Sequence, residues 1–138
     1  MNDVLEFQGE NRWLSNFWPC QVIFEGITFP SVENAYQAAK TTLKHRDQFV
    51  SCTAGQAKRL GRIVDIRPEW QSVKLEVMKG LIEQKFSKGS SLGVKLLSTG
   101  TCLIVEGNNW NDRFWGVCKG KGENNLGKLI MNQRSLIG

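Results

Sequence analysis

The chain has 138 residues, 41% of them hydrophobic and 22% charged, with a net charge of +5. That length suits one domain with a real core and is too short for two, and no apolar run nears the ~20 residues of a membrane-spanning helix. The pI near 9.2 favours anionic partners such as nucleic acid or phosphorylated small molecules, although the basic residues are spread out and solvated helix faces explain most of them. The N-terminus lacks a signal-peptide layout, so a cytoplasmic location is expected. Cys20, Cys52, Cys102 and Cys118 are widely spaced, no CxxC pair occurs, and His45 is the sole histidine. Reduced core thiols are therefore expected in place of a zinc site.

In chain order, Val4 to Phe7 reads as a short strand and Gly9 to Phe17 as a loop. Gln21 to Pro30 reads as a hairpin, with Val22-Ile-Phe and Ile27-Thr-Phe flanking a tight turn at Glu25-Gly26. Ser31 is a suitable N-cap for a helix to about His45, whose apolar stripe is Val32, Ala35, Tyr36, Ala39 and Leu43. Thr53-Ala-Gly-Gln56 has the capping-box layout and predicts a second helix to about Arg62. Pro68 fits the first turn of a long third helix carrying Trp70, Val73, Val77, Met78, Leu81, Ile82 and Phe86, and Gly89 suits its end. A shorter helix from about Ser91 to Ser98 stops at Gly100. Strand-like pieces at Thr101 to Glu106 and Phe114 to Cys118 precede a last helix from about Asn125 to Ser135. The pattern predicts an α+β, mainly helical single domain over residues 1–138, with a small β-sheet and hairpin built from both chain ends.

Chemistry concentrates in two places. On the first helix, ~100° per residue puts Glu33 and Lys40 on one face with Tyr36 between them, about 10 Å apart along the axis. Glu33 as a first-turn acid complements the helix dipole, which is its bland reading. At the margin of a buried stripe, however, partial desolvation shifts pKa values and permits acid, base or nucleophile roles. The second place is Leu103 to Val117, where Glu106 closes a strand and Asp112 sits among asparagines between Trp110 and Trp115. Asp112 can be a turn former and Glu106 a solvated strand end. Exposed loop tryptophans are costly unless they stack on something, and two or three of the five, Trp70 among them, suit the core. Gly120-Lys-Gly-Glu-Asn-Asn-Leu-Gly lacks the Lys-Ser/Thr of a P-loop and the third glycine of a dinucleotide fingerprint. As a helix entrance it is expected to receive phosphate on unpaired amides. One histidine in a basic stretch offers no Ser-His-Asp or Cys-His set.

Several short motifs together resemble a known family, the NADAR or YbiA-like domain. They are Leu14-Ser-Asn-Phe17, Ser31-Val-Glu-Asn-Ala-Tyr-Gln-Ala-Ala-Lys40, Ala57-Lys-x-Leu-Gly61, Trp70, Lys85-Phe86 and Thr99-Gly100. Leu103-Ile-Val-Glu106, Asp112-Arg-Phe-Trp-Gly116, Gly122-Glu-Asn-Asn-Leu-Gly127, Met131 and Arg134 follow in family order. The resemblance implies a mainly helical fold with a small sheet and cleavage of N-glycosidic bonds, either in riboflavin-pathway intermediates or between ADP-ribose and guanine bases of nucleic acid. It implies Glu33, Lys40 and Asp112 as catalytic residues. It implies Asn16, Phe17, Tyr36, Trp70, Glu106, Trp115, Gly122 and Asn124 as substrate-binding residues. No metal and no cofactor is implied, and the expected partner is a nucleotide-type small molecule or ADP-ribosylated nucleic acid bound by a monomer, with no membrane. Asn34 departs from the histidine frequent in the family at its position.

These residue types suit that chemistry. Breaking an N-glycosidic bond builds positive charge on the ribose C1 and negative charge on the departing nitrogen. Carboxylates stabilise the first, and an acid or cation assists the second. Indole faces hold the base in a water-poor slot. A lysine amine can alternatively attack an opened ribose and form an imine. The competing expectation is a binding module that captures ADP-ribose or a related nucleotide without turning it over. A nucleic-acid-binding scaffold rests on charge alone.

Overall fold

A computed structural model of the chain describes residues 2–138. The fold is α+β and mainly helical, as the periodicity predicts, and it divides into two units. One is contiguous, Asn16–Lys85, and the other combines the residues up to Ser15 with Phe86–Gly138.

In the contiguous unit, β1 (Pro19–Phe24) and β2 (Ile27–Ser31) form the expected antiparallel hairpin, with Val22 opposite Phe29 and a bulge between Pro19 and Val22. The turn is Glu25-Gly26, both at positive φ. Val22 and Phe29 point inward and are fully buried, whereas Ile23 and Thr28 face out, the alternation that a half-buried hairpin requires. The exposed edge of β1 is paired by a side chain: the Gln84 amide donates to the Ile23 carbonyl and accepts from its N–H, each at 2.7 Å. Three helices follow, α1 (Val32–Ala39), α2 (Ala54–Leu60) and α3 (Trp70–Lys85). The Ser31 hydroxyl caps α1 by accepting from the Asn34 N–H, and the Thr53–Gln56 capping box starts α2 as the sequence predicts. Every residue of α1 is buried, so this short helix is the axis of the unit.

Three helix boundaries differ from the sequence expectation, among them the end of α3, which stops at Lys85, short of Gly89 and without Phe86. Helix α1 stops at Ala39, and a 3-10 helix, Leu43–Phe49, replaces its predicted last turns. Arginines satisfy the carbonyls that end it. The Arg46 Nε donates to Ala38 and Thr41, while Arg67 donates from its Nε to Ala39 and from its backbone N–H to Lys40. Arg46, itself buried, also pairs with Glu25 of the hairpin turn. Leu43, expected in the apolar stripe, is 63% exposed as a result. Helix α3 begins at Trp70, with Pro68 in the preceding turn.

The second unit is closed by the two halves of its sequence. A 3-10 helix (Gly9–Leu14) occupies the predicted loop, α4 (Ser91–Leu97) is capped by Ser90, and α5 (Asn125–Ile137) ends the chain. The predicted strands at residues 4–7 and 101–106 reduce to one parallel bridge, Val4 to Ile104. Side chains take the ladder's place: the Asp3 carboxylate accepts from the Leu103 N–H, and Asn124 accepts from the Glu106 N–H and donates to the Ile104 carbonyl. Regular pairing resumes beyond them, where β3 (Gly107–Asn108) lies parallel to β4 (Val117–Cys118). Phe7, Trp13, Leu14, Phe86, Leu96, Ile104, Leu126 and Ile130 form the core of this unit.

Candidate active site

The contiguous unit gathers six of the expected residues. Glu33 lies in the first turn of α1, its N–H donating to the Asn16 carbonyl at 3.0 Å. The residue is 8% exposed, and its Oε1 accepts from Gln37 Nε2 at 2.8 Å. Tyr36, one turn on, packs against Trp70 of α3 with ring centroids 5.2 Å apart. Both rings are buried, so Trp70 belongs to the core. Lys40 is the C-cap of α1, and its Nζ lies 5.5 Å from the Tyr36 ring centroid, over the ring. The expected common face of Glu33, Tyr36 and Lys40 therefore exists. Asn16 donates to the Met78 sulfur, and its Oδ1 is buried without a partner among the described residues. Phe17 is 44% exposed, with Lys58 of α2 5.9 Å from its ring centroid.

Electrostatics set Lys40 apart. Burial pushes its pKa below the ordinary 10.5; Glu33 opposes that shift, and Arg62, Lys74 and Lys58 reinforce it. The amine is thus partly stripped of water and feels the fields of one acid and three cations. Such an arrangement raises the neutral, nucleophilic fraction and also forms an anion-attracting surface. Asn34 ties α1 to the segment after it. Its Nδ2 donates to the Phe49 and Cys52 carbonyls, and its Oδ1 accepts from Ser31 Oγ.

The other unit holds Glu106, Asp112, Trp115, Gly122 and Asn124. Asp112 Oδ1 accepts from the N–H groups of Phe114 and Trp115 at 3.2 and 2.9 Å, an Asx turn that fixes the loop. Asn108 braces the same loop, donating to Glu106 Oε2 and to the Asp112 carbonyl, both at 2.9 Å. Gly116 has to be glycine, because a Cβ there would meet Glu106 Oε2 at 1.9 Å and the Glu106 carbonyl oxygen at 2.1 Å. Trp115 is half-buried, whereas Trp110 is 48% exposed.

The expectation of phosphate on unpaired amides at the α5 entrance needs correction. The N–H groups of Glu123, Asn124, Asn125 and Leu126 donate to the carbonyls of Arg113, Gly116, Phe114 and Trp115. Donors already paired in this way are not available to an anion. Gly122, at φ 152°, passes so close to Gly116 that a Cβ would lie 2.1 Å from its carbonyl oxygen. Asn124 holds a left-handed φ of 53° and spends both ends of its amide on the Ile104–Glu106 segment. The loop before α5 is a self-contained knot of hydrogen bonds.

An open cleft of about 760 Å³ lies in the same unit, lined by Glu6, Asn108, Trp110 and Lys119 among others, and none of the five expected residues lines it. Among the described residues no group of three or more His, Cys, Asp or Glu is placed to hold a metal, and no helix is long and apolar enough to cross a membrane. All four cysteines are free thiols. Two further groups lie outside the residues expected from sequence, Gln37 beside Glu33 and the buried Lys85 near Cys20. The i, i+4 spacing from Glu33 could have flagged the first; for the second the only sequence signal is its place in the Lys85-Phe86 motif.

Residues 6–138 match the family model described as the NADAR domain. The chain belongs to the NADAR domain family. Among its relatives, the N-glycosidase YbiA of Escherichia coli is 37% identical over 130 residues, covering 89% of this chain and 79% of that protein. An N-glycosidase of Nostoc punctiforme is 33% identical over 131 residues, with coverage of 89% and 83%. A riboflavin biosynthesis protein of Vibrio vulnificus is 34% identical over 127 residues, 88% of this chain, which spans 34% of that longer protein. The NMR structure of E. coli YbiA matches the fold with a TM-score of 0.83 at 32% identity, covering 99% of this chain and 86% of that one.

Proposed function

We propose that this chain is an N-glycosidase of the cytoplasm, cleaving the bond between a ribose C1 and a base nitrogen in a phosphate-bearing nucleotide. The observation that carries the reading is the desolvated Lys40 amine on the same helix face as the buried Glu33 carboxylate. The names of the relatives support the reaction class. Anionic substrates suit the net charge of +5 and the Lys58, Arg62 and Lys74 cations whose fields reach Lys40. ADP-ribose attached to guanine in nucleic acid and a phosphorylated riboflavin-pathway intermediate both have this chemistry.

In the imine route the neutral Lys40 nitrogen bonds C1 as the C1–base bond breaks, its proton passing to the departing nitrogen; the ribose ring then opens, the C1–ring-oxygen bond breaking as the C1=N bond of the imine forms. Water then releases the ribose and restores the amine. In the direct route Glu33 orients water toward C1, and Lys40 as a cation steadies the leaving base or the phosphates. The resemblance adds Asp112 to the catalytic set. Its Oδ1 already holds the 112–115 turn, which favours a positioning role for that oxygen and keeps a non-catalytic module for ADP-ribose as the second reading.

Incubation with DNA ADP-ribosylated on guanine, with NAD and with a riboflavin-pathway intermediate, followed by mass spectrometry, separates these readings. Free base together with a ribosyl product from any one of them supports the enzyme. Saturable binding of ADP-ribose without product supports the module. Neither binding nor product overturns both.

A further inference from the structure

Gln37 occupies an unusual place. It lies one turn after Glu33 on α1 and is 5% exposed. Its Nε2 donates to Glu33 Oε1 at 2.8 Å, while its own Oε1, buried, accepts from no group among the described residues. Burying an amide oxygen without a donor costs free energy, and a leucine or methionine would fill the same volume without that cost. The nearby Asn34 shows the ordinary solution, with both ends of its amide bonded to the protein. In Gln37 the end that is used is the one on Glu33.

Gly61 makes room for this amide. It caps α2 with an ordinary helical φ of −63°, so its backbone does not require glycine. A Cβ at residue 61 would lie 1.9 Å from Gln37 Oε1 and 2.7 Å from its Cδ. A side chain at residue 61 would push the flexible end of this amide away from its place beside Glu33. The opposite orientation of the amide would set an oxygen against the carboxylate.

We propose that Gln37 is a positioning residue that fixes the Glu33 carboxylate through this hydrogen bond. The role in catalysis rests on the N-glycosidase reading, whereas the bond and its effect on Glu33 do not. A donor held on one oxygen favours the ionised carboxylate and restricts its rotation, so that the group meets a developing charge on C1 already oriented. Other charges act on Glu33 as well: Lys40 from the same helix, with Lys58 of α2, Arg62 beyond it and Lys74 of α3 interacting with that lysine.

NMR with ¹³C-carboxyl glutamate and ¹⁵N-amide glutamine tests the proposal without a substrate, with Glu33→Gln assigning the Glu33 signal. In the unaltered chain the Gln37 side-chain amide resonance should follow the Glu33 carboxyl through its titration. An amide that stays still while Glu33 titrates overturns the proposal, and this measurement carries no folding risk. Gln37→Met keeps the volume and should raise the Glu33 midpoint by about one pH unit; Gln37→Glu should raise it further by like-charge repulsion. A midpoint in folded Gln37→Met equal to that of the unaltered chain also overturns it. With a cleaved substrate identified, Gln37→Met should lower kcat about 10-fold and leave KM within about twofold. Titrations that behave as expected beside a chain that cleaves nothing would remove the N-glycosidase reading and leave the Glu33–Gln37 bond standing.

Discussion

The two units differ in the polar groups they leave unspent: the contiguous unit also braces its backbone with buried Asn34 and Arg46, but it keeps others in reserve. In the unit around α5, the half-buried Asn108 and Asp112 bond backbone groups of their own loop, the buried Asn124 bonds the backbone of the 104–106 segment, and the amides leading into α5 are paired with carbonyls. Polar chemistry there is consumed in holding shape. In Asn16–Lys85 the buried polar groups include a carboxylate, an amine with a lowered pKa, and amide oxygens on Asn16 and Gln37 that accept from no group among the described residues. Groups left in that condition carry a cost in stability, and such costs concentrate where chemistry is done. On the proposed reading, reactivity belongs to the contiguous unit and architecture to the other.

Substitutions can break that contrast. The largest effect is expected at Lys40 and Glu33. Lys40→Ala and Glu33→Gln should each lower turnover by ~10²–10⁴-fold, read by mass spectrometry of products, with ligand affinity nearly unchanged for Glu33→Gln. Borohydride added during turnover should trap an adduct on Lys40 in the imine route, and Lys40→Arg is then inactive. In the direct route no adduct forms and Lys40→Arg keeps part of its rate. In the imine route, activity should rise with pH through a limb that lies below the ordinary lysine value, because the neutral amine is the reactive form. A wild-type rate in Lys40→Ala would move reactivity out of this helix altogether.

Asn124→Ala should affect stability and not chemistry. It removes two hydrogen bonds, one of them buried and one part-buried, and places alanine at a left-handed φ, for a loss of about 3 kcal/mol in urea denaturation. Equal stability would mean that the α5 loop is less dependent on its asparagine than its bonding indicates.

Lys85 sharpens the comparison through pH. It is 3% exposed at the end of α3, and burial lowers its pKa to about 7, with Cys20 opposing that shift. The unfolded chain, near 10.5, binds more protons than the folded one between these two values. Stability from this group therefore rises as pH climbs from about 7 toward 10.5, and the slope vanishes below about 7. Thermal unfolding across that range should show the rise, and Lys85→Met should remove it. The smallest effect is Thr53→Ala, which opens the α2 capping box and should cost ~1 kcal/mol by urea titration, with turnover retained.

Local sequence patterns made much of the contiguous unit legible. The Glu25-Gly26 turn, the Ser31 cap, the Thr53–Gln56 box and the helical spacing of Met78, Leu81 and Ile82 depend on residues a few positions apart, and all are present in the structure. The end of α1 was not legible, because its carbonyls are taken by Arg46 and Arg67 from outside the helix. Strand expectations at residues 101–106 exceeded the structure for a related reason. β-branched and apolar residues suit a strand, but an asparagine 18 and 20 positions away takes over two of its backbone groups. At the site, the wheel brought Glu33, Tyr36 and Lys40 together correctly, since helical periodicity is local. It could not reveal that the α5 amides are already bonded, which depends on how 113–116 folds back.

The parallel bridge between Val4 and Ile104 has a consequence for synthesis on the ribosome. Asn16–Lys85 has every one of its own residues once position 85 has emerged. The segment that precedes it waits for partners on the far side, since Asp3 and Leu103 pair across 100 positions. At ~5–20 residues per second that interval is about 5–20 s, during which Val4, Phe7 and Trp13 travel as apolar side chains without their native cover. In the unit that ends in α5, the residues made first are among the last to find their place.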